Sequence, residues 1–220
     1  TRDEGTGFVP AFIPAIGKEV TNLTIQSARN DILYLMKLFH RAEIGNEVAD
    51  FYLGKLYNPT QDELKWENYF VIFNIKFYNC HLIYRLAISA VFGDMNLVCP
   101  SVLFGEEFAM NSPMTSHIYA YRLMQEVVSL PGFTQPKWMG VTHGMDCNYL
   151  FMPQLLQLSP PLFELSQRMI QAWTSFAKTG KPSVYWQEAF DRSTNDFSTR
   201  YMHLESGHYK MVSDYFKPTC

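Results

Sequence analysis

One stretch leaves the chain little choice of local structure. Ser159-Pro160 opens a helix, with serine as the cap and proline in the first turn. Leu162, Leu165, Met169, Ala172, Trp173 and Phe176 recur at helical spacing and form a single apolar stripe. Lys178 falls in the last turn, Gly180 ends the helix and Pro182 follows it. The stripe reads as core packing.

The flanking segments set the fold class. Residues 1–14 are short apolar steps around Gly5, Gly7, Pro10 and Pro14, read as a strand end and a loop. Residues 22–40 keep helical spacing through Ile25, Ala28, Ile32, Leu35, Met36 and Phe39. A shorter helix covers 46–57. Residues 60–92 read as a long aromatic-rich helix, capped by Thr60 with Glu63 three residues on and broken at Gly93. Asp94 to Met110 form another helix, with Pro100 near its start. Residues 115–123 are rich in β-formers and predict a buried strand. Pro131, Gly132 and Pro136 mark a loop, and 200–205 and 208–216 read as a hairpin joined through Ser206-Gly207. This alternation predicts an α/β layer architecture with an edge hairpin and three or four strands. With no repeat, linker or low-complexity segment, residues 1–220 read as part of a single domain.

Composition narrows the function. At 47% hydrophobic and 15% aromatic, the chain can bury a large core. A net charge of −3 gives no sign of nucleic-acid binding. Its apolar runs stop short of the roughly 18 residues a membrane span needs, so no transmembrane segment is expected. The first residue is not methionine, and the chain is expected to begin part-way through a longer protein. Cys80, Cys99, Cys147 and Cys220 include no C-x-x-C pair. Asn22-Leu23-Thr24 is a glycosylation sequon, which together with an even cysteine count leans towards the secretory pathway.

Chemistry concentrates in Trp138-Met139-Gly140-Val141-Thr142-His143-Gly144, a histidine in a glycine-bracketed loop. Three readings of His143 stand side by side. It could join Asp146 and Cys147 around zinc, at i, i+3 and i+4, but no second cluster supplies further ligands. It could be structural. Or it could be a general base oriented by Glu4, since an acid fixes the imidazole tautomer and Ser…Glu…His is one order in which hydrolase triads are written.

Four segments carry a resemblance. Asp3-Glu4-Gly5, Asp94-Met95-Asn96-Leu97-Val98-Cys99-Pro100, Trp138 to Gly144, and Ala172 to Pro182 resemble, in order, segments of the type-B carboxylesterases, which include cholinesterases and neuroligins. The resemblance implies the C-terminal portion of an α/β-hydrolase fold, with Glu4 and His143 as triad members and Asp146 supporting them. It also implies a Cys99–Cys220 disulfide and an extracellular protein, secreted or a membrane-anchored ectodomain. The substrate implied is a small carboxylic ester, with no cofactor or metal and room for a homo-oligomer.

No G-x-S-x-G elbow occurs: Gly140 and Gly144 flank Thr142 instead. The nucleophile is therefore expected upstream of Thr1, and these 220 residues alone are expected to be inert. The spacing from Glu4 to His143 is long for the family, with the excess in 40–92, where an enlarged helical cap is expected. Phe8 and Gly7 fall in the expected substrate pocket. Gly7 and Ala11 stand where cholinesterases carry aromatics that hold a quaternary ammonium, which favours a general carboxylesterase. The alternative is a non-catalytic, neuroligin-like adhesion protein.

Overall fold

The structure, a computed structural model, describes residues 3–17, 23–57, 80–127, 129–130, 133–157, 159–191, 199–213 and 220. They divide into two units, Gly5–Met95, and Thr1–Glu4 with Asn96–Cys220.

The Gly5–Met95 unit begins with helical turns where a strand end was expected. The Phe8 and Val9 amides both donate to Gly5 O, and Pro10 sits in the first turn. Proline suits that position because its missing N–H has no helical partner there. Two short helices result, α1 (Val9–Phe12) and α2 (Pro14–Gly17), with Val9 and Ile16 buried.

The next helix, α3 (Ile25–Leu38), starts at Thr24, whose hydroxyl accepts from the Ser27 amide while the Ser27 hydroxyl accepts from the Thr24 amide. Ala28, Ile32, Leu35 and Met36 are its buried face, as the spacing predicts. Helix α4 (Gly45–Tyr57) packs against it, and Arg29 reaches across to Asp50 and Asn46. The expected capping at Thr60 and Glu63 lies outside the described residues, as does the sequon Asn22.

Helix α5 (Cys80–Gly93) packs on α1, α3 and α4. Gly93 does not end it. The chain passes through a π-helical turn, Asp94–Val98, and continues as α6 (Cys99–Asn111), where Pro100 is accommodated in the first turn. Tyr52 donates to Asp94 at 2.7 Å, and burial is the main reason its phenol is pushed far above the ordinary range. Because the helix runs on past Gly93, His81–Asn111 is long and apolar enough to cross a membrane by length and composition alone, which does not show a membrane span. A third of its most apolar window is buried inside the protein. Core helices pass the same length-and-composition test.

In the other unit, the expected strand 115–123 is paired as a sheet strand only over β1 (Tyr121–Leu123). Before it the bonds go to separate partners: Ile118 O accepts from Ala189, and Ala120 O from both Met202 and the Trp186 indole. A two-stranded ribbon, β2 (Ser129–Leu130) with β3 (Phe133–Thr134), lies within the expected loop. Two further helices follow, α7 (Met145–Phe151) and α8 (Pro160–Thr179).

Helix α8 ends as expected, at Gly180 with φ 75°. Its start differs: Ser159 contributes its carbonyl to the Phe163 amide but makes no side-chain cap. Strands β4 (Arg200–Glu205) and β5 (His208–Ser213) form the hairpin, and β1 pairs parallel to β4, giving the order β1-β4-β5 with β5 at the edge. Leu123, Met202 and Leu204 from the sheet pack with Leu165 and Met169 from α8 and Met145 and Tyr149 from α7. Each such side chain taken from water contributes about 1.5–3 kcal/mol. The stripe is thus core packing, except that Phe176 at its far end is 45% exposed.

Candidate active site

The histidine loop is shaped by its glycines. After Pro136 and a 3-10 turn, Lys137–Met139, the chain reverses at Gly140 with φ 61° and ψ −130°, a combination open to glycine and strained for other residues. Val141 is fully buried and anchors the turn in the core. Gly144, with φ 75°, takes the chain from His143 into α7.

Glu4 reaches this loop from the other end of the sequence. Its Oε2 lies 2.6 Å from His143 Nδ1. The Glu4 side chain is 12% exposed and that of His143 48%. A carboxylate only accepts, so the proton between them sits on Nδ1, and whenever the imidazole is neutral the lone pair is on Nε2. That is the tautomer a general base needs.

Asp3, next to Glu4, makes two bonds to one residue of the loop. Its amide donates to Val141 O at 2.9 Å, and its Oδ2 accepts from the Val141 amide at 2.7 Å. Gln135, only 7% exposed, donates from Nε2 to Gly140 O at 2.5 Å and accepts from the Thr142 hydroxyl at 3.2 Å.

Asp146 sits in the first turn of α7. It accepts from its neighbour Cys147's amide at 3.1 Å and from the Tyr121 hydroxyl at 2.6 Å. Tyr121 lies edge-on to Trp173, 4.7 Å between ring centres, and edge-on to Trp186 at 6.5 Å. Burial pushes its phenol strongly up, followed by the bond to Asp146 and the charge of Asp146, with a smaller effect from Glu4. Tyr121 thus stands in the fields of both carboxylates.

Among the described residues, no three His, Cys, Asp or Glu side chains are grouped to hold a metal. Cys147 is an exposed free thiol. Cys99 and Cys220 are joined in a disulfide, with Cα atoms 5.2 Å apart. Phe8 caps α1, is 40% exposed, and stacks on Phe92 at 6.0 Å. Gly7 is exposed beside it, and both belong to the Gly5–Met95 unit. Three residues at the site escape sequence reasoning. Asp3 had only its adjacency to Glu4 to mark it, and nothing local marks Gln135 or Tyr121.

Comparison with known proteins decides the family. The profile of the carboxylesterase family matches residues 1–220. The chain belongs to the carboxylesterase family. That membership implies an α/β-hydrolase fold, of which the helix-rich layers and small three-stranded sheet are a part.

Among this carboxylesterase-family chain's relatives, acetylcholinesterase of Bungarus fasciatus is 28% identical over 185 residues, covering 83% of the chain and 26% of the relative. Cholinesterase of Mus musculus is 25% identical over 189 residues, again 83% and 26%. Acetylcholinesterase of Gallus gallus is 33% identical over 105 residues, 45% of the chain and 12% of the relative. The chain spans about a quarter of the length of the first two.

Proposed function

We propose that this chain is the part of a serine carboxylic-ester hydrolase that supplies the acid and the base of a Ser-Glu-His triad. The observation that carries the reading is the 2.6 Å contact between Glu4 Oε2 and His143 Nδ1, in a chain of the carboxylesterase family.

In this mechanism Glu4 holds the Nδ1 proton, leaving Nε2 to take the proton of a serine hydroxyl as its oxygen attacks the ester carbonyl. The imidazolium formed is stabilised by the Glu4 carboxylate, then gives its proton to the departing alcohol. A water molecule, activated by the same nitrogen, releases the acid. The serine comes from outside residues 1–220, because no G-x-S-x-G occurs within them.

The substrate in this reading is an uncharged carboxylic ester. The curated relatives above are named cholinesterases, but Gly7 and Ala11 offer no ring to a quaternary ammonium. An extracellular setting is supported by the Cys99–Cys220 bond, since reducing compartments do not keep structural disulfides.

The test is ester hydrolysis by the full-length protein, with a neutral short-chain ester and the matching choline ester as rival substrates. Turnover of the neutral ester at the higher kcat/KM, abolished by His143→Ala with the fold intact, is the expected result. No turnover of either ester by folded protein contradicts the enzyme reading. Preference for the choline ester overturns only the substrate assignment.

A further inference from the structure

We propose that Gln135 and Asp3 are positioning residues that set the angle at which His143 meets Glu4. This rests on the reading of His143 as the base. Gly140 lies at φ 61°, ψ −130°, one of many conformations open to glycine without strain, so contacts around it must fix that choice. Here the contacts come from two residues.

Gln135 is buried, and a buried amide is tolerable only when its polar ends are paired. Gly140 O can only accept, so the Gln135 NH2 must face it, which turns Oε1 to the Thr142 hydroxyl. One side chain therefore grips the loop on both sides of Val141. Asp3 grips Val141 itself, donating with its amide and accepting with its carboxylate. Residues 140, 141 and 142 are all held, and His143 is next. Because Asp3 adjoins Glu4, the same bonds that hold the loop also locate the backbone that carries the acid. The clamp fixes acid and base against each other.

The chemistry of each grip dictates which substitutions it tolerates. Asp3 acts here as an acceptor, so Asp3→Asn, which keeps a side-chain carbonyl oxygen, preserves the grip and Asp3→Ala loses it. Glu4, one residue on, acts through its charge and fails as glutamine. Gln135 must donate, so Gln135→Glu sets a carboxylate against Gly140 O, and Gln135→Met removes both bonds at similar volume.

The experiment reads the tautomer of His143 by the 15N shifts of its ring nitrogens in the full-length protein, together with kcat and KM. The wild type is expected to hold the proton on Nδ1, and Asp3→Asn to match it. Asp3→Ala and Gln135→Met are expected to shift the population towards Nε2–H. They should also lower kcat by up to about 100-fold at nearly constant KM, the scale of a 1 Å misplacement.

The His117–Glu188 pair, also 2.6 Å apart and sharing no hydrogen bond with the clamp, reports folding in the same spectra. Should a variant disturb His117 as well, Thr142→Val, which removes a single hydroxyl, decides instead. Retention of the Nδ1 tautomer and of kcat in the folded Asp3→Ala, Gln135→Met and Thr142→Val proteins overturns the clamp alone. A wild-type His143 without the Nδ1 tautomer, or one untouched by Glu4→Gln, overturns the pairing of acid and base on which the clamp rests.

Discussion

Glu4 and Asp146 are carboxylates of the same charge put to different uses. Glu4 spends its Oε2 on the imidazole, while Asp146 is bonded to the Tyr121 hydroxyl and the Cys147 amide. In the proposed mechanism Glu4, hydrogen-bonded to the imidazole itself, gains more interaction energy than Asp146 as an imidazolium forms, so its removal should act more directly on the transition state. Glu4→Gln should lower kcat by on the order of 10⁴-fold, the scale seen when a triad acid becomes an amide. Asp146→Asn should lower it far less, because asparagine can still accept from Tyr121. Steady-state kinetics of the two variants checks this, and equal losses would contradict the division of roles. Both acids were legible in the sequence through their place in the resemblance. Tyr121 was not, because what marks it is a tertiary contact across 25 residues.

Among the elements, the sheet contains a titrating group with a definite sign. In the register, His203 on β4 stands opposite Arg122 on β1 and Lys210 on β5. Burial first, then these two cations, lower its pKa to about 4. An unfolded histidine titrates near 6.5, about where it stands in free peptides. Above that value His203 is neutral in both states and has no effect on stability. As pH falls below it, the unfolded chain gains a proton that the folded chain refuses, so stability drops until about pH 4 and then levels. Thermal melts from pH 7 to 4 should show this decline, and His203→Gln should flatten it. An equal slope in the variant would assign the decline to other groups.

The hairpin carrying His203 was readable from Ser206-Gly207 between two β-rich runs, and α8 from its apolar stripe. The errors share a physical cause. Gly93 looks like a stop, but the helix continues past it through a π turn at Asp94–Val98. Residues 1–14 look extended, yet a turn anchored on Gly5 O starts a helix at Val9–Phe12. Glycine and proline mark local freedom, and tertiary bonds then choose among the conformations they permit.

For the molecule as a whole, the strongest covalent constraint is Cys99–Cys220, which closes a loop of 121 residues. Restricting an unfolded chain over that length contributes about 4–5 kcal/mol in the chain-entropy account. Cys99→Ala should lower the denaturant midpoint accordingly, with free thiol counts confirming the lost bond. An unchanged midpoint would mean the unfolded chain gains nothing from the cut. The family was visible in four short segments, whereas the bonds that hold the candidate site together join residues as far apart as 3 and 141. Whether Glu4 and His143 act as one catalytic unit, as proposed, is read from a double-mutant cycle on kcat/KM in the full-length protein. Residues that work as a unit lose activity once, not twice. Glu4→Gln, added to His143→Ala, should therefore cause little further loss. Losses that multiply through the double variant would show two independent contributions and contradict the account.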